Sequence, residues 1–278
     1  MEEFKVKYKV LNKNIAVKLD DKFSLTDTLL CGQCFRWYEL SDERFAGVVS
    51  GKYVEVSYDG DFLIFYNVSE NFFKGCLAEY FDLYTSYSDI QKDLLGRHPF
   101  LDQAIKNAPG IRILNQDSFE TMISFIISQN NNIKRISSIV KRLCENFGTR
   151  SDDGSYAFPT IEQLASLQKK DFDILKCGFR VPYIMDAVRK VYMGKIDLCE
   201  MQKLPLDDAR SILMTVRGIG PKVAECVLLY GMHRLEAFPM DVWMKKAMSE
   251  FFPDLSPKDF GPYAGVAQQY IFHYVRNG

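Results

Sequence analysis

The segment Leu213-Met-Thr-Val-Arg-Gly-Ile-Gly-Pro-Lys-Val-Ala-Glu-Cys226 reads as helix, tight turn and helix. Gly218 and Gly220 permit unusual backbone dihedrals and the close approach of a second backbone, Ile219 between them can anchor the turn in a core, and Pro221 suits a first helical position. Backbone N–H groups left free at such a turn and helix start can bind a phosphate. Taken alone, the string fits any helix–helix hairpin. Lys222 adds chemistry to it: in the first turn, the positive helix end and partial burial disfavour the charged form of a lysine. A neutral amine is the form that attacks carbon and makes a Schiff base. Further on, Phe238-Pro-Met-Asp-Val-Trp243 sets Asp241 just ahead of an apolar-periodic stretch, where it can cap a helix and also stabilise positive charge or assist proton transfer.

Working outward from this hairpin, helical periodicity runs from about Asn71 to the end of the chain. Expected helices are Pro99–Lys106, Asp117–Ser128, Ile133–Phe147, Ile161–Leu167, Pro182–Met193, Leu206–Thr215, Pro221–Tyr230, Val242–Phe251 and Pro262–Val275. The first hundred residues instead read as strands at Lys5–Leu11, Ile15–Leu19, Phe35–Leu40, Phe45–Val49, Tyr53–Tyr58 and Phe62–Tyr66, with a short helix at Ser24–Leu30. Turn signals such as Tyr58-Asp-Gly-Asp61 separate the strands, so the expected sheet is antiparallel. The fold class is therefore α+β: an antiparallel sheet domain over residues 1–100 followed by a mainly helical domain over 101–278, meeting at a packed junction near residues 95–115. A hydrophobic content of 47% is ample for two cores.

No run approaches the length of a membrane span, and the N-terminus lacks the pattern of a signal peptide, so an intracellular, soluble and monomeric protein is expected. It would lie in the cytoplasm of a bacterium or archaeon, or in the nucleus of a eukaryote. Seven scattered cysteines fit reduced thiols. Cys31-Gly-Gln-Cys34 has redox spacing but lacks the surrounding βαβ pattern, and no Cys/His cluster suggests a metal. No cofactor and no metal are expected. The net charge of −1 hides an asymmetry: residues 1–99 hold 12 Lys/Arg against 16 Asp/Glu, and residues 100–278 hold 23 against 20. A phosphate-binding face would belong to the second part and be local.

The hairpin string resembles the helix-hairpin-helix of the base-excision DNA glycosylases, the position of Lys222 resembles that of their bifunctional members, and the Asp241 loop matches the one that delivers their catalytic aspartate. Further strings resemble the 8-oxoguanine glycosylases in particular. Gly32-Gln-Cys-Phe-Arg-Trp37 looks like the segment whose glycine carbonyl accepts the N7 hydrogen that only the oxidised base carries. Asn130-Asn-Asn-Ile-Lys-Arg135 looks like the turn whose first Asn fills the space left by the extruded base and whose Arg reaches the opposite cytosine. Phe179-Arg180 matches the intercalating aromatic and a second cytosine-reading arginine, with Phe where relatives generally carry Tyr. The resemblance assigns Gln268 to the Watson–Crick edge of the base, Phe272 and Cys226 to its two faces, and Trp243 to a place where eukaryotic relatives often hold a phosphate-contacting His. It implies a glycosylase and AP lyase acting on 8-oxoguanine in double-stranded DNA, with Lys222 attacking C1′ and Asp241 stabilising the sugar cation. Two other readings stay open: a glycosylase of the same superfamily for another damaged base, and a non-catalytic helix-hairpin-helix DNA-binding protein.

Overall fold

The computed structural model describes residues 6–41 and 43–277. A six-stranded antiparallel sheet has the order β1-β2-β6-β5-β4-β3, built from β1 (Tyr8–Leu11), β2 (Asn14–Lys18), β3 (Tyr38–Ser41), β4 (Arg44–Val49), β5 (Lys52–Tyr58) and β6 (Phe62–Tyr66). Alternation decides its register: in β5, Val54 and Val56 turn inward, opposite Gly47 and Phe45 of β4. The short helix α1 (Leu25–Leu29) lies between β2 and β3, and the Oγ of its N-cap Ser24 accepts the Asp27 N–H.

Strand β3 starts later than the expected Phe35–Leu40. Cys34 and Trp37 turn into the sheet core while Phe35 turns into the helical core, so this stretch bridges two cores and cannot run as a strand. The expected first strand also begins later, at Tyr8, and its Lys5 lies outside the described residues.

The helices that follow the sheet are α2 (Glu70–Phe72), α3 (Ala78–Tyr80), α4 (Tyr87–Leu94), α5 (Pro99–Asn107), α6 (Ser118–Ser128), α7 (Ile133–Phe147), α8 (Ile161–Ala165), α9 (Val181–Tyr192), α10 (Leu198–Met201), α11 (Leu206–Leu213), α12 (Pro221–Gly231), α13 (Val242–Phe251) and α14 (Ala264–Asn277), and the residues at and around α3 pack into the sheet core. A π-helical turn at Phe73–Leu77 joins α2 to α3. Pattern reading passed over α4, α10 and a 3-10 stretch at Lys169–Leu175, which are short and gain their order from packing. The last α-helix starts at Ala264 rather than Pro262, because Pro262 and Tyr263 belong to a 3-10 stretch, Pro257–Tyr263, that is kinked at Gly261 (φ +69°).

The segment from residue 108 to 116 stitches the two parts together with backbone and side-chain hydrogen bonds instead of secondary structure. Arg112 N–H donates to Thr28 Oγ1 (3.2 Å), Leu114 N–H to Gln33 Oε1 (2.9 Å) and Gln116 N–H to Tyr230 O (3.0 Å). Gln33, fully buried, also donates to the carbonyls of Thr28 and Arg112, both at 2.8 Å, which anchors the loop carrying Gly32. No helix among the described residues is long and apolar enough to cross a membrane.

Candidate active site

The hairpin forms where the sequence places it, between α11 and α12. Gly218 takes φ +84°, and a Cβ there would lie 2.3 Å from the Tyr183 ring, so only glycine fits. Gly220 differs from expectation: at φ −98° and ψ −178° its backbone is open to any residue, and nothing lies within 4 Å of the position of a Cβ. Its bareness therefore opens the start of α12, which no side chain among the described residues caps. Asp186 holds the turn from α9 by accepting the Arg217 N–H (2.7 Å) and pairing with Lys190 (2.9 Å). These partners outweigh the effect of burial and keep its carboxyl below the usual range.

Gly218→Ala is expected to destabilise the fold by about 1–3 kcal/mol through the Tyr183 clash and left-handed strain, whereas Gly220→Ala stays within about 0.5 kcal/mol. Thermal melts of the two variants compare these directly. Equal melting temperatures would show that Tyr183 yields freely.

Lys222 is half-buried in the first turn of α12, with Nζ 5.1 Å from the centre of the Phe125 ring. Phe125 stacks on Tyr230 (5.5 Å between centroids, 15° between planes) and meets Phe35 edge-on at 5.5 Å. This aromatic floor escaped the sequence reading, since Phe125 sits in an apolar helix that looks like ordinary core. Asp241 caps α13: Oδ1 accepts the Met244 N–H at 2.8 Å, while Oδ2 carries no hydrogen bond from a described residue and is free for a ligand. Glu225 was missed as well, although an acid among Val223, Ala224, Cys226 and Val227 is a signal of a paired buried charge. It joins both helices of the hairpin to the Asp241 loop, pairing with Arg210 of α11 and accepting the Phe238 N–H at 2.6 Å.

Beside Lys222 and Asp241 lies a pocket of about 380 Å³, within the range of roughly 300–1,000 Å³ for small-ligand sites. Gly32, Lys222, Cys226, Asp241, Trp243, Gln268 and Phe272 all line it. Burial pushes the Cys226 thiol up despite the adjacent Lys222, and the Cys31 thiol up to about 11, so both thiols stay uncharged. Gln268 is 3% exposed, and its Oε1 is buried with no hydrogen-bond partner among the described residues. An unpaired buried acceptor costs about 1–3 kcal/mol, and an N–H edge of a ligand would satisfy it. A larger groove of about 1620 Å³ shares Lys222, Asp241 and Trp243 with the pocket and continues past Asn130 and Gly220. The lysine and aspartate thus stand where the larger groove meets the smaller pocket.

The other expected residues gather at α7 and α9. Asn130 adopts φ +48° just before α7, and Arg135 is exposed in the first turn of that helix. Phe179 is 54% exposed and Trp243 50%, both large apolar surfaces, and Trp243 lines both the pocket and the groove. Arg180 departs from the sequence expectation. Only 4% exposed, it donates to the carbonyls of Gln129 (3.0 Å), Asn130 (3.0 Å) and Cys177 (3.2 Å), so its guanidinium tethers the Asn130 turn and offers little to a base.

The chain is 37% identical to the Clostridium acetobutylicum 8-oxoguanine glycosylase/lyase, solved with double-stranded DNA containing cytosine opposite 8-oxoG, with a TM-score of 0.90 over 100% of this chain and 99% of that one. It belongs to the 8-oxoguanine glycosylase/lyase family. Residues 15–122 match the 8-oxoguanine DNA glycosylase N-terminal domain, and residues 123–258 match the HhH-GPD superfamily of base excision DNA repair proteins. Within the family, MBOgg1, solved with a low-affinity DNA ligand, is 38% identical at a TM-score of 0.93, over 98% of this chain and 99% of that one. The N-glycosylase/DNA lyase OGG1 of Arabidopsis thaliana is 28% identical, over 90% of this chain and 77% of that protein.

Proposed function

We propose that this chain is a bifunctional DNA glycosylase and AP lyase that removes 8-oxoguanine from duplex DNA and then cuts the strand. The observation that carries the reading is the convergence of Gly32, Cys226, Gln268 and Phe272 on one pocket at Lys222 and Asp241. Lys222 Nζ gives its lone pair to C1′, the glycosidic bond breaks with its electron pair leaving on the base, which takes up the proton that Nζ gives up, and Asp241 stabilises the cationic sugar as it forms. Opening of the sugar ring gives an imine between Nζ and C1′. Loss of a C2′ proton then expels the 3′ phosphate by β-elimination. Extruding the base costs a few kcal/mol, recovered in part by stacking on Phe272 and by the unpaired Gln268 Oε1. Gly32 O accepts the N7 hydrogen that guanine lacks.

The helical part, residues 101–278, supplies the nucleophile and the DNA surface, while residues 1–100 supply one pocket wall. Free N–H groups at the start of α12, with Trp243 at the rim, bind backbone phosphate. Phe179 enters the stack as a wedge and Asn130 fills the space left by the base. Such a protein works as an intracellular monomer.

Arg135, exposed, reads the opposite cytosine, whereas Arg180 must first surrender its carbonyl partners to do so. Excision from duplexes with 8-oxoguanine opposite each of the four bases tests this reading. The wild-type chain should prefer cytosine. Arg135→Ala should flatten the spread by about 1–3 kcal/mol, and Arg180→Ala should slow excision opposite every base by loosening the Asn130 turn. An unchanged spread in Arg135→Ala would refute its role, and no release of 8-oxoguanine by the wild type would refute the function.

A further inference from the structure

Two walls of the pocket come from opposite ends of the chain. One is the loop of Cys31 and Gly32 after α1, and the other is the face of α14 on which Gln268, Phe272 and Arg276 recur every fourth residue. The loop is bound firmly to α1: Gln33 and the Cys31 thiol both donate to Thr28 O, and the Cys34 thiol donates to Leu29 O. The position of α1 therefore sets that of Gly32. Two side-chain links among the described residues cross from this unit to α14. His273 Nε2 lies 3.1 Å from Asp27 Oδ1 on α1, and Arg276 Nη1 donates to Cys31 O at 3.4 Å.

The histidine link is the shorter and the better built. Asp27 Oδ2 accepts the Ser24 hydroxyl at 2.8 Å, which orients the carboxylate, and Ser24 N–H is anchored on Gly110 O at 2.8 Å. His273 Nδ1 is buried with no partner among the described residues, so the ring proton belongs on Nε2, facing Asp27. His273 directly follows Phe272, and Asp27 touches neither Lys222 nor Asp241 by any hydrogen bond.

We propose that Asp27 and His273 are positioning residues for lesion recognition, holding the Gly32 wall at the distance from Phe272 and Gln268 that fits an oxidised purine. The inference rests on the reading of this pocket as the base site. Its consequence is a separation of the two activities. Base release needs the pocket walls in register, whereas cleavage of a duplex that already carries an abasic site has no base to seat and needs only Lys222, Asp241 and the DNA surface.

The test compares 8-oxoguanine release with cleavage of abasic duplex for the full chain and for His273→Leu, Asp27→Ala and His273→Gln. Misplacement of a reacting group by about 1 Å costs up to roughly a hundredfold. His273→Leu and Asp27→Ala should therefore release 8-oxoguanine about tenfold to a hundredfold more slowly, with abasic cleavage within about twofold of wild type. His273→Gln, whose carboxamide N–H can still reach Asp27, should recover most of the loss. Wild-type base release in both disrupted variants would overturn the proposal, as would a parallel fall in abasic cleavage or failure of both to fold. A wild-type chain inert on both duplexes would instead overturn the functional reading on which the inference rests.

Discussion

Lys222→Gln should release no measurable 8-oxoguanine and cut no abasic strand, a loss on the order of a thousandfold or more, while still folding and still binding lesion duplex. Lysine and glutamine have similar helix propensities, so α12 should form as before. The pocket walls at Gly32, Gln268 and Phe272 do not depend on the amine. What disappears is the nitrogen that can share its electron pair with C1′. Borohydride should trap a covalent complex with the wild-type chain and none with the variant. Strand cleavage at near wild-type rate would place the nucleophile elsewhere, and loss of lesion binding together with activity would assign Lys222 a structural role.

Asp241→Asn should slow base release by about a hundredfold to a thousandfold with little change in melting temperature. The two roles of this residue are separable because its oxygens are divided: Oδ1 caps α13 through the Met244 N–H, and Oδ2 has no hydrogen-bond donor among the described residues. Asparagine caps a helix about as well as aspartate but carries no charge. Asp241→Ala should lose the charge and the cap together, adding roughly 1 kcal/mol of destabilisation to the same kinetic defect. Equal kinetics for Asp241→Asn and wild type, alongside a lowered melting temperature, would leave Asp241 as a cap alone.

Much of the site was legible before any fold was known, for identifiable reasons. Local rules govern the hairpin: a turn, a proline at the first helical position and a lysine beside it are adjacent in the chain, and Gly218 adopts the positive φ that such a turn requires. The spacing of Gln268 and Phe272 already put them on one helix face. Arg180 was legible as a residue but its contacts were not, because its partners are backbone carbonyls that no side-chain pattern reveals. Glu225 was passed over inside an apolar helix, although a lone buried acid calls for a partner. Phe125 and Tyr230 gave no signal at all, since an aromatic floor under a lysine is written in the same letters as a core.

By itself, the sequence determined what depends on near neighbours: the antiparallel hairpins of the sheet, the helices with strong periodicity, the glycine turn, and the residue types able to attack, cap and stack. Only the tertiary structure decided what depends on segments far apart. It brought Gly32 to Phe272, set Phe35 and Trp37 into different cores, and joined Asp27 to His273. The physical reason is that backbone conformation and helix faces follow from energies within a few residues. A pocket exists only where surfaces from distant segments pack, and which surfaces meet is settled by the burial of the whole chain at once.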